Sequence, residues 1–486
     1  VSDFALPADW VFSTLKDVAD IVSGMGFPKH LQGKAEGEFP VFKVGDISSV
    51  WKVGKTTLVK SPNNLSREEV VKIKGKVHPQ GTIIFAKIGE ALRLNRRAIL
   101  GQPSLIDNNV MGLIPKTEVV DRKYLFYFMT TVELGDLSRA TAVPSVRKSD
   151  VQNIKFPLAP MDQQKRIVAE IEKQFSRLDE AVANLKRAKA NLKRYKAAVL
   201  KAAVEGKLTE EWRKKHPDVE PADKLLERIL AERREKWQGR GKYKEPAAPD
   251  TTDLPELPEG WMWTSAAQLA EHIVDGTHHT PTYVEQGIDF ISAKDVADWK
   301  TDFSRCRKIP MEEHEDLTKR CCPKPGHVLV TKSGTIGRVA VVKTEKPFSL
   351  FESVAVIPLI RPVSPEFVGY AIFSTIQGEF GRKWQKGVAV RHLHLEDLRR
   401  LPVPLPPLTE QVKVVEEFER LNTVAENIES TIEAEFVRAV RLRQSILKQA
   451  FSGQLVSHGS NHEPASVLLE RIRANSDLYR QGTCHP

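Results

Sequence analysis

Two stretches of this chain repeat their apolar positions with helical spacing and contain neither glycine nor proline. The first runs from Met161 to Glu205 and stops at Gly206; the second runs from Thr409 to Ser452 and stops at Gly453. Glycine just past the last periodic residue is a C-terminal stop signal. Asp162 and Thr409 stand at matching positions and suit the N-caps. In the first stretch Ile171, Leu178, Leu185, Leu192 and Val199 fall at strict sevens, with Phe175 and Val182 in a second row that Lys189 and Lys196 interrupt. In the second, Val414, Leu421, Ile428 and Leu442 form one row, broken by Glu435, and Phe418, Ala425, Ile432, Ala439 and Ile446 form the other. Paired apolar rows with this period predict a coiled-coil seam. Each helix, if unbroken, spans about 65 Å at 1.5 Å per residue.

Ahead of each stretch the pattern changes to short β-branched runs punctuated by Gly, Pro and Asn. Val41–Val44, Thr82–Ala86, Val110–Ile114, Val328–Thr331, Val339–Val342 and Val354–Leu359 read as strands, and Tyr124–Thr131 and Pro365–Phe380 as short helices. An α+β fold is expected for each globular part.

The chain also repeats itself. Leu6-Pro-Ala-Asp-Trp10 returns as Leu257-Pro-Glu-Gly-Trp261, and Phe39–Ile47 corresponds loosely to Asp289–Val296. Gly81–Gly89 matches Gly326–Gly334, and Pro157-Leu-Ala-Pro160 with Gln164 matches Pro404-Leu-Pro-Pro407 with Gln411. Leu200–Leu208 matches Leu447–Leu455, and Leu225-Leu-Glu-Arg-Ile229 recurs as Leu468–Ile472. The offsets lie between 243 and 252, far beyond the roughly 20–50 residues of a solenoid repeat. The expectation is two tandem copies with internal pseudo-twofold symmetry, so that one chain imitates a dimer and its two long helices pair antiparallel. The boundaries read as 1–160 and 251–407 for the globular domains, and 161–250 and 408–486 for the helical regions. Inside the first helix, Ala183–Lys189 is followed by the similar heptad Ala190–Lys196; this is either heptad drift or a length adjustment in a spacer.

With 486 residues, 41% hydrophobic and 28% charged, the composition is that of a multidomain globular protein. No apolar run approaches the roughly 18–20 residues that cross a bilayer, and Val1-Ser-Asp-Phe4 begins no secretory signal. Cys306, Cys321, Cys322 and Cys484 are too sparse for a disulfide scaffold and lack zinc-site spacing. A cytoplasmic protein without a membrane partner is expected. The net charge of +10 is matched by one segment: Lys186–Lys244 holds 19 Lys/Arg against 9 Asp/Glu. Such an excess is either a phosphate-binding footprint or a solvated helix face.

Catalytic signatures are missing, so a non-catalytic chain is expected. Gly54-Lys55-Thr56 lacks the upstream glycine of a phosphate-binding loop, where Ser49 stands. No Asn/Asp-Pro-Pro-Tyr/Phe element of an amino-methyltransferase is present, and Asp121-Arg-Lys123 has no paired carboxylate before it. His278 and His279 have no third ligand in view and read as a polar turn, with His278 facing DNA or solvent. Binding signals are clearer. Lys332-Ser-Gly-Thr-Ile-Gly-Arg338 gathers glycines, hydroxyls and cations suited to phosphate oxygens, making Lys332, Ser333, Thr335 and Arg338 candidates; an ordinary hairpin turn is the alternative. Its counterpart supplies Lys87, Arg93, Arg96 and Arg97, while Lys43 and the Arg391, His392, His394 stretch add further cations. The copies agree in their helices and differ in their globular parts. Two unlike readers on one frame predict a bipartite, non-palindromic target.

These residues resemble the specificity subunit of type I restriction–modification enzymes. The resemblance covers the full chain. It rests on the duplicated layout, on Leu-Pro-x-x-Trp in each half, on Gly326-His-Val-Leu-Val-Thr-Lys-Ser-Gly-Thr-Ile-Gly337, and on Pro404-Leu-Pro-Pro-Leu-Thr-Glu-Gln411 leading into a helix that ends Leu447–Leu455. The first copy departs from it at Lys87-Ile-Gly-Glu90. The resemblance implies two tandem target recognition domains separated by two long antiparallel coiled-coil helices that act as a ruler on double-stranded DNA. It implies no cofactor in this chain. Two modification subunits carrying S-adenosylmethionine would methylate adenine, and restriction subunits using ATP and Mg would translocate and cleave. The helical surface, including Ile171, Leu178, Leu185, Leu192, Val199, Leu421, Ile428, Ile432 and Ile446, would serve the coiled coil and partner docking. A stand-alone DNA-binding regulator and a coiled-coil tether are the rival readings.

Overall fold

The helical periodicity forms as two unbroken helices, Met161–Val204 and Leu408–Phe451, in the structure, a computed structural model that describes residues 5–138, 143–237, 241–378, 392–457 and 463–481. Both end as the glycines require. Gly206 and Gly453 take φ of +69° and +75°, and the N–H groups of Lys207 and Gln454 return to the carbonyls of Ala202 and Gln449 at 2.9 and 2.8 Å. Residues with a Cβ rarely adopt that left-handed turn. The starts differ from expectation. Each helix begins one residue before the expected cap, and the carbonyls of Pro160 and Pro407 accept from Gln164 and Gln411 at 3.0 Å. Asp162 and Thr409 therefore lie in the first turn.

Contacts divide the chain into two units, residues 1–186 with 433–486 and residues 187–432. The division cuts both long helices instead of following their ends. Within the first unit, Arg166 donates to the Ser457 carbonyl at 3.1 Å and Arg443 pairs with Asp179. Within the second, Lys196 pairs with Glu429 at 2.6 Å and Thr209, just past the helix, reaches Glu410 at 2.7 Å. Numbers climb on one helix as they fall on the other, so the pairing is antiparallel in each unit.

One apolar row is a true seam: Phe418, Ala425, Ile432, Ala439 and Ile446 are all buried, as are Ile171, Leu192 and Val199. Leu178 and Leu185 are half-buried. The other row of the second helix departs from expectation. Val414 is buried and Leu421 half-buried where the globular part covers them, but Ile428 and Leu442 are 46% and 42% exposed. A helix facing a single partner covers about one stripe of its surface, and among the described residues the rest of this row is left largely uncovered.

In the first unit a five-stranded sheet runs in the order Ala19–Ser23, Val110–Pro115, Ile83–Ala86, Arg97–Leu100, Thr57–Leu58, beside a three-stranded sheet centred on Phe39–Phe42. The second unit has a four-stranded sheet, Val274–Asp275, Val354–Ile357, Val328–Thr331, Val339–Val341, beside three strands centred on Ile288–Ile291. The short helices form at Arg122–Thr131 and Pro365–Gln377. Val44 opens a helix, Val44–Lys52, instead of ending a strand, because the Asp46 carboxylate accepts the Lys43 N–H at 2.7 Å and caps it. Among the described residues no helix is long and apolar enough to cross a membrane.

The repeated motifs meet in space. The strand after each Leu-Pro-x-x-Trp pairs with the strand before each long helix, Val11–Thr14 with Lys155–Leu158 and Met262–Ser265 with Pro402–Leu405. Trp10 Nε1 donates to Gln163 at 2.8 Å, and Trp261 Nε1 to Glu410 at 2.9 Å. Beside them the buried amides of Gln164 and Gln411 accept from the backbone N–H of Asp121 (2.7 Å) and Ser364 (2.8 Å), the residues that open the short helices. Gln164 also donates to the carbonyls of Val119 and Ala159, and Gln411 to that of Pro406. The same device thus locks helix to sheet twice.

The copies differ in the charge of this lock. Glu410 is fully buried and held by Arg213, with Nη2 at 2.8 Å and Nε at 3.1 Å, whereas Gln163 at the matching position is neutral and donates to Asp9. Removing one member of a buried ion pair costs about 3–5 kcal/mol. Arg213→Ala is expected to destabilise the second unit by that amount in denaturant unfolding. Adding Glu410→Gln, which copies the first unit, should restore part of the loss.

Candidate functional site

The two cationic loops that stand out in the sequence share a backbone scaffold. Ile83–Ala86 ends at Lys87, whose N–H donates to Asn109 O at 2.9 Å and whose carbonyl accepts from Val146 at 3.0 Å. Val328–Thr331 ends at Lys332, whose N–H donates to Ser353 O at 2.8 Å and whose carbonyl accepts from Leu393 at 2.9 Å. Two residues on, Gly89 and Gly334 both take positive φ, +81° and +71°. Ile88 bridges Ser145 as Ser333 bridges His392. The neighbouring strands also correspond, because Gly24 and Gly276 lie so close to the next chain that a Cβ would fall 1.8 Å from Asp107 O and 2.0 Å from Leu350 O. Only glycine fits such an approach.

The charges on this shared scaffold differ. The residue before Gly276 is Asp275, buried to 1% exposure, and it draws in Lys332 Nζ, Arg320 Nη2 at 2.6 Å and His278 Nε2 at 3.2 Å. His278 Nδ1 also faces Glu352 at 2.8 Å. The residue before Gly24 is Ser23, and among the described residues the Lys87 ammonium has no partner. The Lys332 ammonium is therefore engaged by a buried carboxylate within the protein, while its Lys87 counterpart has no such acid opposite it among the described residues. Burial pushes the Asp275 carboxyl up, but the Lys332 hydrogen bond and charge, with those of His278, outweigh it and hold the group below its ordinary value of 3.8.

The remaining candidates separate by exposure. Thr335 is exposed and Ser333 half-buried on the Lys332 loop. Arg338 turns inward, donating to Val296 O at 3.1 Å. Arg93 is exposed and 3.6 Å from Glu90, Arg96 is half-buried, and Lys43 donates to Gln32 at 2.7 Å with its ammonium 5.1 Å from the Phe27 ring. Arg97 is a correction: it is 1% exposed, donates to Val132 O at 3.0 Å, and lies over Phe85. Burial lowers it to about 9, despite the nearby Glu133 charge. A guanidinium so enclosed reaches no external phosphate and serves the core. Arg391 lies outside the described residues.

Sequence reasoning did not assign Arg320, Glu352 or the role of Asp275. The signal was present in Asp275-Gly276 opposite Ser23-Gly24, but only the fold shows that an acid at that position faces the lysine. Other motifs resolve into structure. Asp121 caps Arg122–Thr131, accepting from Lys123 and Tyr124 at 2.8 and 3.0 Å. Gly54-Lys55-Thr56 follows the end of Val44–Lys52 instead of leading into a helix N-terminus. Burial pushes the thiols of Cys306 and Cys321 up to about 11 and 12. In the basic Lys186–Lys244 segment many cations pair with nearby acids, among them Lys214 with Glu210, Lys224 with Glu227, Arg228 with Glu220 and Arg234 with Glu245. Among the described residues no cluster of His, Cys, Asp and Glu is placed to hold a metal.

Comparison with known proteins adds to this geometry. A family model described as "Type I restriction modification DNA specificity domain" matches residues 7–194 and 280–436, well over half of the chain. The type I restriction enzyme EcoBI specificity subunit of Escherichia coli is 26% identical over 96% of this chain and 92% of its own length. The EcoKI specificity subunit of Escherichia coli strain K12 is 23% identical over 96% of each. A chain from a solved structure of complex assembly and conformational transition in the type I R-M system shares the fold, with a TM-score of 0.59 at 19% identity, covering 93% of this chain and all of that one.

The buried Asp275 cluster carries a pH dependence of definite sign. A carboxyl whose folded pKa lies below 3.8 adds stability that is full above that pH and is lost as the pH falls through the folded value. Asp275→Asn is expected to be less stable than the parent at neutral pH and to lose less on acidification below about pH 4, as followed by circular dichroism.

Proposed function

The chain belongs to the type I restriction–modification DNA specificity family, and on that premise we propose that it is the non-catalytic, sequence-reading subunit of a type I restriction–modification complex. In this reading each globular part binds one half of a bipartite, asymmetric double-stranded DNA target. The observation that supports it best is the contrast between the units: one backbone scaffold ends in Lys87, with no acid opposite it among the described residues, and in Lys332, engaged by Asp275. The same frame with different chemistry at its tips suits two half-sites of unlike sequence.

Affinity would come from Lys and Arg against phosphates and so fall with salt, while groove contacts worth about 1–3 kcal/mol per bidentate pair would discriminate bases. The exposed apolar row at Ile428 and Leu442 suits docking of two modification subunits, which would bring S-adenosylmethionine. Restriction subunits would bring ATP and Mg. The two 44-residue helices, about 66 Å each, would set the gap between half-sites. Because they pair antiparallel, a change in length belongs on both. Removing Ala190–Lys196 with a compensating heptad from the second helix should shorten the spacer by up to about 3 base pairs, at 1.5 Å per residue against 3.4 Å per base pair, without altering either half-site. Sequencing of the methylated sites reads this directly, and an unaltered gap in an assembled complex contradicts it.

The two lysines separate in a salt titration of DNA binding. Lys87→Ala is expected to weaken binding and lower the slope of log affinity against log salt by about 0.9, one phosphate contact. Lys332→Ala should leave the slope unchanged. Equal effects of the two substitutions on the slope would contradict the assignment.

A further inference from the structure

In the first unit a tyrosine and two carboxylates form a corner that the chain fills with its own cations. Tyr127 Oη donates to Glu172 at 3.5 Å, and Lys123 pairs with the same carboxylate at 2.6 Å. Arg443 pairs with Asp179, and its guanidinium lies 4.6 Å from the centroid of the Phe175 ring. The repeat places Tyr370, Glu419 and Glu426 at the matching positions of the second unit, and Tyr370 Oη again donates to Glu419, at 3.4 Å. There the cations are replaced. Glu366 stands where Lys123 does, and Lys196, the counterpart of Arg443, pairs with Glu429. Glu426 accepts from Asn422 at 2.9 Å. Among the described residues none of Glu366, Glu419 and Glu426 has an ion-pair partner.

At this corner the second unit has a cleft of about 380 Å³. Its wall is aromatic: Trp299 and Tyr370 meet edge to face at 4.8 Å, and Tyr370 and Phe418 lie 4.3 Å apart. Trp299 holds a φ of +70° to reach this position, a left-handed conformation that a bulky residue keeps only where its surroundings enforce it. Four carboxylates and two lysines line the cleft, leaving it net negative by two. A carboxylate beside an aromatic face suits an ammonium or guanidinium through ion pairing and the ring quadrupole; in the first unit Arg443 makes that pairing over Phe175, and here Asn422 takes the place of that ring while Trp299 and Tyr370 supply the aromatic wall. DNA phosphates would be repelled.

We propose that this cleft receives an arginine or lysine side chain of a modification subunit, supplying from outside the cation that the first unit supplies from its own chain. The proposal rests on the family reading above and deepens it. It makes the two docking events chemically unequal, because among the described residues the corner is filled in the first unit and vacant in the second.

Glu366→Lys tests this by installing the first unit's own cation, and Glu419→Gln with Glu426→Gln tests it by removing the acids. The full chain and each variant are titrated with the cognate modification subunit by calorimetry, with thermal unfolding as the folding control. The expected result is that one of two binding events weakens tenfold or more in both variants while the other stays within twofold. Two unchanged events in folded variants would overturn the cleft as a docking site and leave the family reading intact. Failure of the parent chain to bind any modification subunit would overturn that reading's partner, and this proposal with it.

Discussion

A long helix projecting from a small sheet needs a rigid root, and here the root is a buried polar lock at its first turn. Trp10 on Gln163 and Trp261 on Glu410 tie each Leu-Pro-x-x-Trp segment to a helix start. Gln164 and Gln411 tie the same turns to the short helices that cover the sheets. Buried polar groups are costly unless every hydrogen bond is made, so a fully satisfied lock admits one geometry. It sits where the pairs Val11–Thr14 with Lys155–Leu158 and Met262–Ser265 with Pro402–Leu405 hand over to the helices, and so fixes the direction in which each helix leaves its strands. The lock occurs twice because the sequence that builds it occurs twice.

What the two copies share and where they part also sorts the residues by role. The lock, the glycine stops and the seam at Phe418, Ala425, Ile432, Ala439 and Ile446 form the frame. The changes fall on charge: Ser23 against Asp275 beside a loop, Lys123 against Glu366 on a helix, and Gln163 against Glu410 inside the buried lock itself. A frame repeated with altered charge gives the two halves one backbone and unlike surface chemistry.

Much of this was legible in the sequence because it depends on local periodicity or on the repeat. The absence of Gly and Pro over 44 residues, with glycine after, defined both helices, and the β-branched runs at Val110, Val328 and Val354 became core strands. Long-range features were less legible. Arg97 read as a surface cation because nothing local shows that its strand lies second from a sheet edge under Val132. Lys332 read as free because Asp275 is 57 residues away along the chain. Ile428 read as seam because its heptad spacing is sound, and only the burial of one row shows which stripe faces the partner helix. In each case the missing knowledge was which distant side chain occupies the space opposite.

The measurement that tests the account most directly is genome-wide mapping of methyladenine in cells that contain this chain with its modification partner, against cells that lack it. The account predicts a new methylated motif split into two unlike halves by a fixed gap. A complex that assembles yet leaves no new mark, or marks a continuous or palindromic site, would contradict it.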